Sequence, residues 1–208
     1  MIIAVDGAST DLSLALGGPD GTILAEDAWS SAQRQSAELL PHLLALMASA
    51  DRSLGDLRAV AVGTGPGSFT GLRVAMAIAK GLALGLGRPI VGVPSLPAWL
   101  AAEPDAVAAV ARAGSREAYL LARGDEEPRI VDRDELNATG LLVVPADLAA
   151  AFGLADARPP RAAPAIARHA AERLALDPAG DDLALLEPLY LRAPRGVPTE
   201  SPERVRWL

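Results

Sequence analysis

The stretch that most narrows the folds open to this chain is GTGPGSFTGLR, residues 63 to 73, which puts four glycines and one proline into eleven positions and runs straight into an Ala-rich segment. A glycine-rich turn that opens a helix presents unpaired backbone N–H groups and a partial positive charge, so phosphate is one expected occupant. The same lack of side chains lets another protein's backbone come close. The loop is not a Walker A motif: no Gly-Lys-Ser/Thr ending is present, and the first lysine after it is Lys80. Nor does it carry the dinucleotide fingerprint with its later acidic residue. Ser68 or Thr70 is expected to cap the helix, and Phe69 to wedge into the core or an interface.

The helix that follows decides between these occupants. At about 100° per residue, Leu72, Met76, Ala79, Ala83 and Leu86 fall on one face, and Val74, Ile78, Gly81 and Gly85 almost opposite. Only Arg73 and Lys80 interrupt the apolar surface. A helix apolar on both sides has to be covered on both sides, and one small lobe offers a sheet for only one. Gly81 and Gly85 each cost about 1 kcal/mol against Ala inside a helix, a penalty that close backbone approach would explain. The sequence therefore predicts a protein interface, with a second copy or another subunit, over Gly65, Gly67, Ser68, Phe69, Thr70, Gly71, Arg73, Val74, Ile78, Gly81 and Gly85.

Around this element the chain reads as α/β. Ile2 to Val5, Leu12 to Leu16 and Ile23 to Ala25 form a three-strand meander. A helix carries Leu39, Leu43, Leu46, Met47 and Ala50 at helical spacing, with Pro41 kinking it or marking its first turn. Leu57 to Val62 is a strand, Leu72 to Leu86 the second helix, ended by Gly87, and Ile90 to Val93 another strand. These elements make a lobe over residues 1–95 with a mixed sheet. Past Pro94 the pattern weakens: Val107 to Ala111, Ala118 to Ala122 and Leu141 to Val144 read as strands, and Ala163 to Leu176 as a helix. Residues 96–192 are expected to form a smaller lobe, and residues 193–208 a partly disordered tail unless Trp207 docks. Asp125 to Glu135 reads as an exposed charged segment, in which Asp132, Asp134 and Glu135 are solvated carboxylates rather than a metal site.

Composition excludes several functions. A net charge of −7 has the wrong sign for a stand-alone nucleic-acid binder. Without cysteine there is no disulfide framework, thiolate zinc site or thiol nucleophile. His42 and His169 form no HxxxH or HExxH pair, so no metal site is expected, and Ser68 and Ser95 lie in no GxSxG elbow. His42, beside an apolar helix stripe, suits a partly buried structural role; His169 is expected to be exposed. No run approaches the roughly 20 apolar residues of a membrane span, and no signal peptide is visible, so a cytoplasmic, non-membrane protein is expected. Asp6-Gly7-Ala8-Ser9, just past the first strand, has two readings: Asp6 terminates the strand and caps a turn, or Asp6, Gly7 and Ser9 face a nucleotide and its Mg²⁺.

GTGPGSFTGLRVAMAIAKGLA, residues 63 to 83, resembles the signature of the TsaB (YeaZ) family. Ile3 to Ser9 is similar to that family's opening strand and turn, and Glu187-Pro188-Leu189-Tyr190-Leu191-Arg192 to its closing motif. The resemblance implies a two-lobed fold of the actin, Hsp70 and sugar-kinase (ASKHA) type, with mixed sheets and a reduced second lobe. It implies a non-catalytic subunit with no cofactor of its own, ATP or ADP entering only at an interface with partner subunits. The implied partners are a TsaD-like catalytic paralogue, a TsaE-like ATPase, and a second copy when the chain is alone. Their joint task in that family is transfer of threonylcarbamoyl to N6 of adenosine 37 in ANN-decoding tRNAs, with tRNA contacted only through the complex. Older names for relatives, M22 glycoproteases, imply a peptidase for which no ligand set is present. Gly7 departs from the family's usual Thr, and Gln35 stands where a His often precedes Leu-Leu-Pro, both of which weaken nucleotide binding. The alternative is a small ASKHA-type ATPase or kinase using Asp6 and the glycine-rich loop.

Overall fold

The computed structural model describes residues 1–31, 33–136 and 140–189. The first sheet is built from β1 (Ile2–Asp6), β2 (Asp11–Gly17), β3 (Ile23–Ser30), β4 (Ala59–Gly63) and β5 (Ile90–Val93), in the order β3-β2-β1-β4-β5. β1, β2 and β3 pair antiparallel as a meander, whereas β1, β4 and β5 pair parallel. Central β1 is apolar up to its final Asp6 and buried throughout, as a strand covered on both faces must be. Its side chains alternate: Ile3 and Val5 join the core beneath α1 (Gln35–Ser49) and α2 (Phe69–Leu86), and Ile2 and Ala4 join the core on the opposite face. Ser68 caps α2, its hydroxyl accepting the Gly71 N–H at 3.3 Å, and Gly87 ends the helix in the left-handed conformation. Pro41 lies inside α1 on its exposed side, well past the first turn.

The second sheet has the order β10-β9-β6-β7-β8, from β6 (Ala108–Arg112), β7 (Glu117–Ala122), β8 (Arg129–Asp132), β9 (Leu142–Val143) and β10 (Ala157–Arg158). β8 runs through the charged segment read from sequence as a loop; only Val131 is buried there, so alternation is too short to show. Two further helices escaped the sequence pattern, α3 (Ser95–Ala102) and α4 (Ala146–Phe152), each short and entered through a proline. α5 (Ala163–Leu176) lies in the stretch assigned to the second lobe but packs on the first sheet, against β1 and β2. Its Ile166 and Ala170 share one core with Ala4 and Ala61 of the first sheet, Trp99 of α3, and Ala109 and Leu121 of the second. The lobes are thus joined by a common apolar core through α3 and α5. The remainder of the chain, including Tyr190 to Arg192 and Trp207, lies outside the described residues.

Candidate functional site

The glycine-rich loop closes on the chain's own first turn. Asp6 is 1 % exposed at the end of β1. Its carboxylate accepts the Trp99 indole N–H at 2.6 Å, the Ser95 hydroxyl at 2.9 Å and the Ala8 N–H at 3.3 Å. The Ser95 hydroxyl in turn accepts the Gly65 N–H at 3.1 Å, and the Gly65 carbonyl accepts the Ser95 N–H at 2.9 Å. A buried carboxylate therefore ties β1, the loop and α3 together. Burial raises its pKa, and the bonds from Trp99, Ser95 and Ala8 oppose that rise by favouring the charged form. Trp99 sits on a helix of eight residues, too short to show a period, and the Leu96, Trp99, Leu100 spacing after Pro94 is its local signal.

The loop glycines serve the same closure. A Cβ on Gly67 would run into the Ala8 carbonyl, one on Gly71 into the Gly7 carbonyl, and one on Gly63 into the Asp6 carboxylate. Gly65 has a φ of +93° that side chains rarely adopt. Gly7 presses on α2 from the other side, where a Cβ would lie 2.8 Å from that of Ala75. Ser9 closes a local turn, its hydroxyl donating to the Asp11 carbonyl and accepting the Asp11 N–H. Of the turn expected to face a nucleotide, Asp6 and Gly7 are turned inward, and only Ser9 borders open space. That space is a cleft of about 640 Å³ between the lobes, where Ser9, Thr10, Gln35 and the Gly67–Thr70 stretch meet Arg112 and Asp147.

The cleft floor is bolted. Asp11 at the start of β2 accepts the Ala146 N–H of α4 at 2.8 Å, and Asp147 takes the Thr10 hydroxyl and Arg112, both at 2.8 Å. Deeper in the interface, the Ser13 hydroxyl accepts the Ala163 N–H of α5 at 3.1 Å. The residues predicted as one interface accordingly divide. Gly65, Gly67 and Gly71 are spent on internal closure, Ser68, Phe69 and Thr70 border the cleft, and Val74 and Ile78 are half-buried. Ile78 in fact joins the core beneath α2, because α1 packs beside it. Arg73 lies over the Phe69 ring at 3.8 Å. Gly81 and Gly85 face open space with nothing within 4 Å of a Cβ, and Leu84 beside them is 73 % exposed. On the adjacent α1, Ala37, Leu40, Leu44, Ala45 and Ala48 are exposed in one apolar stripe. By length and composition α2 is apolar enough to cross a membrane, yet its Leu72, Ala75, Met76, Ala79 and Ala83 are buried on the sheet. His42, as expected, is structural: its Nδ1 lies 2.6 Å from Asp27 and its ring stacks on Trp29 at 3.8 Å. His169 is exposed.

The family model of TsaD, tRNA N6-adenosine threonylcarbamoyltransferase, matches residues 23–150. The Escherichia coli tRNA threonylcarbamoyladenosine biosynthesis protein TsaB is 41 % identical over 96 residues, 46 % of this chain and 40 % of that protein. An uncharacterised Mycobacterium tuberculosis protein is 36 % identical over 186 residues, 86 % of this chain and 85 % of its own length. YeaZ from Pseudomonas aeruginosa superposes with a TM-score of 0.66 at 24 % identity, over 91 % of this chain and 99 % of that one. The chain belongs to the TsaB/YeaZ family. The likeness to YeaZ agrees with the two-lobed α/β architecture and the mixed sheets expected. The aligned segment spans two-fifths of the Escherichia coli TsaB, so activity and partners do not transfer with the family name. What does come with it is a place among proteins of tRNA threonylcarbamoyladenosine biosynthesis.

Proposed function

We propose that this TsaB/YeaZ member is the non-catalytic scaffold subunit of the complex that transfers threonylcarbamoyl to N6 of adenosine 37 in tRNA. Its direct partner is a TsaD-like catalytic paralogue, joined by a TsaE-like ATPase, and a second copy takes the same surface when the chain is alone. The observation that carries this reading is the outer surface of α1 and α2, where Leu40, Leu44 and Ala48 lie exposed on one helix and Ala77, Gly81, Leu84 and Gly85 on its neighbour. A contiguous apolar surface built from small residues suits helix-against-helix docking, and contiguous apolar patches on soluble proteins mark interaction sites. The ATPase alternative loses its first ligand, because Asp6 already accepts three bonds from the protein and is closed off from the cleft. Nucleotide enters this reading only where partner subunits meet the chain.

The test is co-purification of the chain with a TsaD-like protein, followed by reconstitution of the modification with the ATPase, ATP and tRNA. Leu84→Asp places a charge on the exposed patch without touching the core, so circular dichroism stays that of the wild type while association weakens by about 100-fold, a loss of hot-spot size. Modification by the chain without a TsaD-like partner, or wild-type association by Leu84→Asp, overturns the reading.

A further inference from the structure

β5 is an outer strand of the first sheet, and the outward N–H and C=O groups of such a strand are a template on which another chain can pair. The Pro89 and Val93 carbonyls turn inward to β4, so Ile90 and Gly92 are the residues that face out. An ion pair occupies the place of a neighbouring strand. The Ile90 carbonyl accepts the Asp181 N–H at 2.8 Å, the Gly92 N–H donates to the Asp181 carboxylate at 2.7 Å, and the Gly92 carbonyl accepts a bond from Arg173, in the last turn of α5, at 3.4 Å. The Arg173 guanidinium also forks onto both Asp181 oxygens, at 2.7 and 3.2 Å. Burial works against charge on Asp181, yet the bonds from Arg173 and Gly92 hold its carboxyl below the usual carboxylate range.

From Asp181 the chain runs on to Leu189, whose N–H donates to the Thr64 carbonyl at 2.7 Å, at the entry of the glycine-rich loop. Across residues 181–189 no residue is fully buried: Leu183, Leu186 and Pro188 are half-buried, and Leu185 is 61 % exposed. The strand beneath is different, with Ile90, Val91 and Val93 all in the core. Leu183 and Leu186 only lean on the core beneath α2, and Leu186 fits because Gly92 has no side chain to meet it. A segment with so few buried apolar contacts opens at a free energy well below that of global unfolding. We propose that residues 181–189 are a releasable strap, latched by the Arg173–Asp181 pair, which opens as a unit while the sheet stays folded and, in opening, bares the β5 edge and unties the loop at Thr64. The strap thereby couples the end of α5 to the segment that starts α2. It needs no partner, and it stands or falls separately from the scaffold reading.

The experiment is amide hydrogen exchange on the full chain, followed residue by residue by NMR at constant pH. The Gly92, Asp181 and Leu189 amides are expected to be protected about 100-fold less than those of Ile3 and Val5 in central β1, which report opening of the whole fold. Arg173→Met keeps the stem and removes the fork, and lowers protection of those three amides by a further tenfold or so, the loss expected for bonds to a charged group, while Ile3 and Val5 stay as in the wild type. Leu189 is the decisive amide, because its own bond is to Thr64 and not to the latch. Equal protection of the three amides and of β1 in the wild type overturns the strap. So does an Arg173→Met variant that leaves Leu189 unchanged or loosens β1 as much. Should Arg173→Met fail to fold, the wild type in 1 M sodium chloride, where charges are screened beyond about 3 Å, takes its place. Faster exchange there at the three amides alone supports the latch, and unchanged exchange overturns it.

Discussion

The two ends of α2 use the same residue for opposite purposes. At its start, Gly67 and Gly71 are pressed against the carbonyls of Ala8 and Gly7, and the missing side chains let two segments of one chain close on each other. Toward its end, Gly81 and Gly85 have nothing within 4 Å of where a side chain would begin. The first pair is explained by the folded chain; the second is not, and it sits beside exposed Leu84. Spacing along the sequence treats all four glycines alike. What separates them is whether the fold itself supplies the backbone that approaches.

The sharpest way to break that comparison is to add a methyl group at the closed end. Gly67→Ala drives its Cβ into a carbonyl oxygen rather than a flexible side chain, so backbone has to move. The expected loss is about 3 kcal/mol, at the upper end for overpacking, read as a lower urea midpoint. A loss under about 0.5 kcal/mol, the range of ordinary surface substitutions, would mean that the loop is not held as described.

Removing the carboxylate beneath the loop comes next. Asp6→Ala strands the Trp99 indole N–H and takes the acceptor from the Ser95 hydroxyl and the Ala8 N–H, and is expected to cost about 2 kcal/mol for the unsatisfied donors. The same group gives a pH signature. Burial raises the Asp6 pKa above the ordinary aspartate range, so over the window just above that range the folded state holds its proton more firmly than the unfolded one. Stability contributed by this group is therefore lost as pH rises through that window and complete below it. Denaturation of wild type and Asp6→Asn in parallel from pH 4 upward measures it: the wild-type advantage shrinks as pH rises. A difference that grows instead would show that the bonds from Trp99, Ser95 and Ala8 outweigh burial.

Much of this fold was legible because its strongest elements obey local rules. The meander, β4, α2 and β5 follow from apolar runs, a serine cap and Gly87, and the family followed from the long stretch at residues 63 to 83. What stays unread in the sequence lies where partners are distant along it. Asp6 has its decisive partner 93 residues away in Trp99, on an eight-residue helix too short to show a period. α5 follows the second sheet in the chain yet belongs to the first in space, which no spacing within it reveals. Ile78 faces outward by angle alone, but it is half-buried against the core that α1 and α2 cover. The cleft was illegible for the same reason, since Gln35, Thr70 and Arg112 come from three separate elements.

The smallest effect is the most discriminating. Gly81→Ala adds a methyl group in open space inside a helix, so the isolated chain is expected to gain up to about 1 kcal/mol from helix propensity alone. If the glycine is kept so that another backbone can approach, the same methyl group separates the two helices and weakens association. Stability and association then move in opposite directions, which neither loss of fold nor a neutral surface position produces. Urea denaturation at low concentration gives the first quantity, and sedimentation with and without the TsaD-like partner gives the second. An equal gain in both would show that the open end of α2 is bare for some reason other than contact, and the difference between its glycines and those of the loop would have to be explained without a partner.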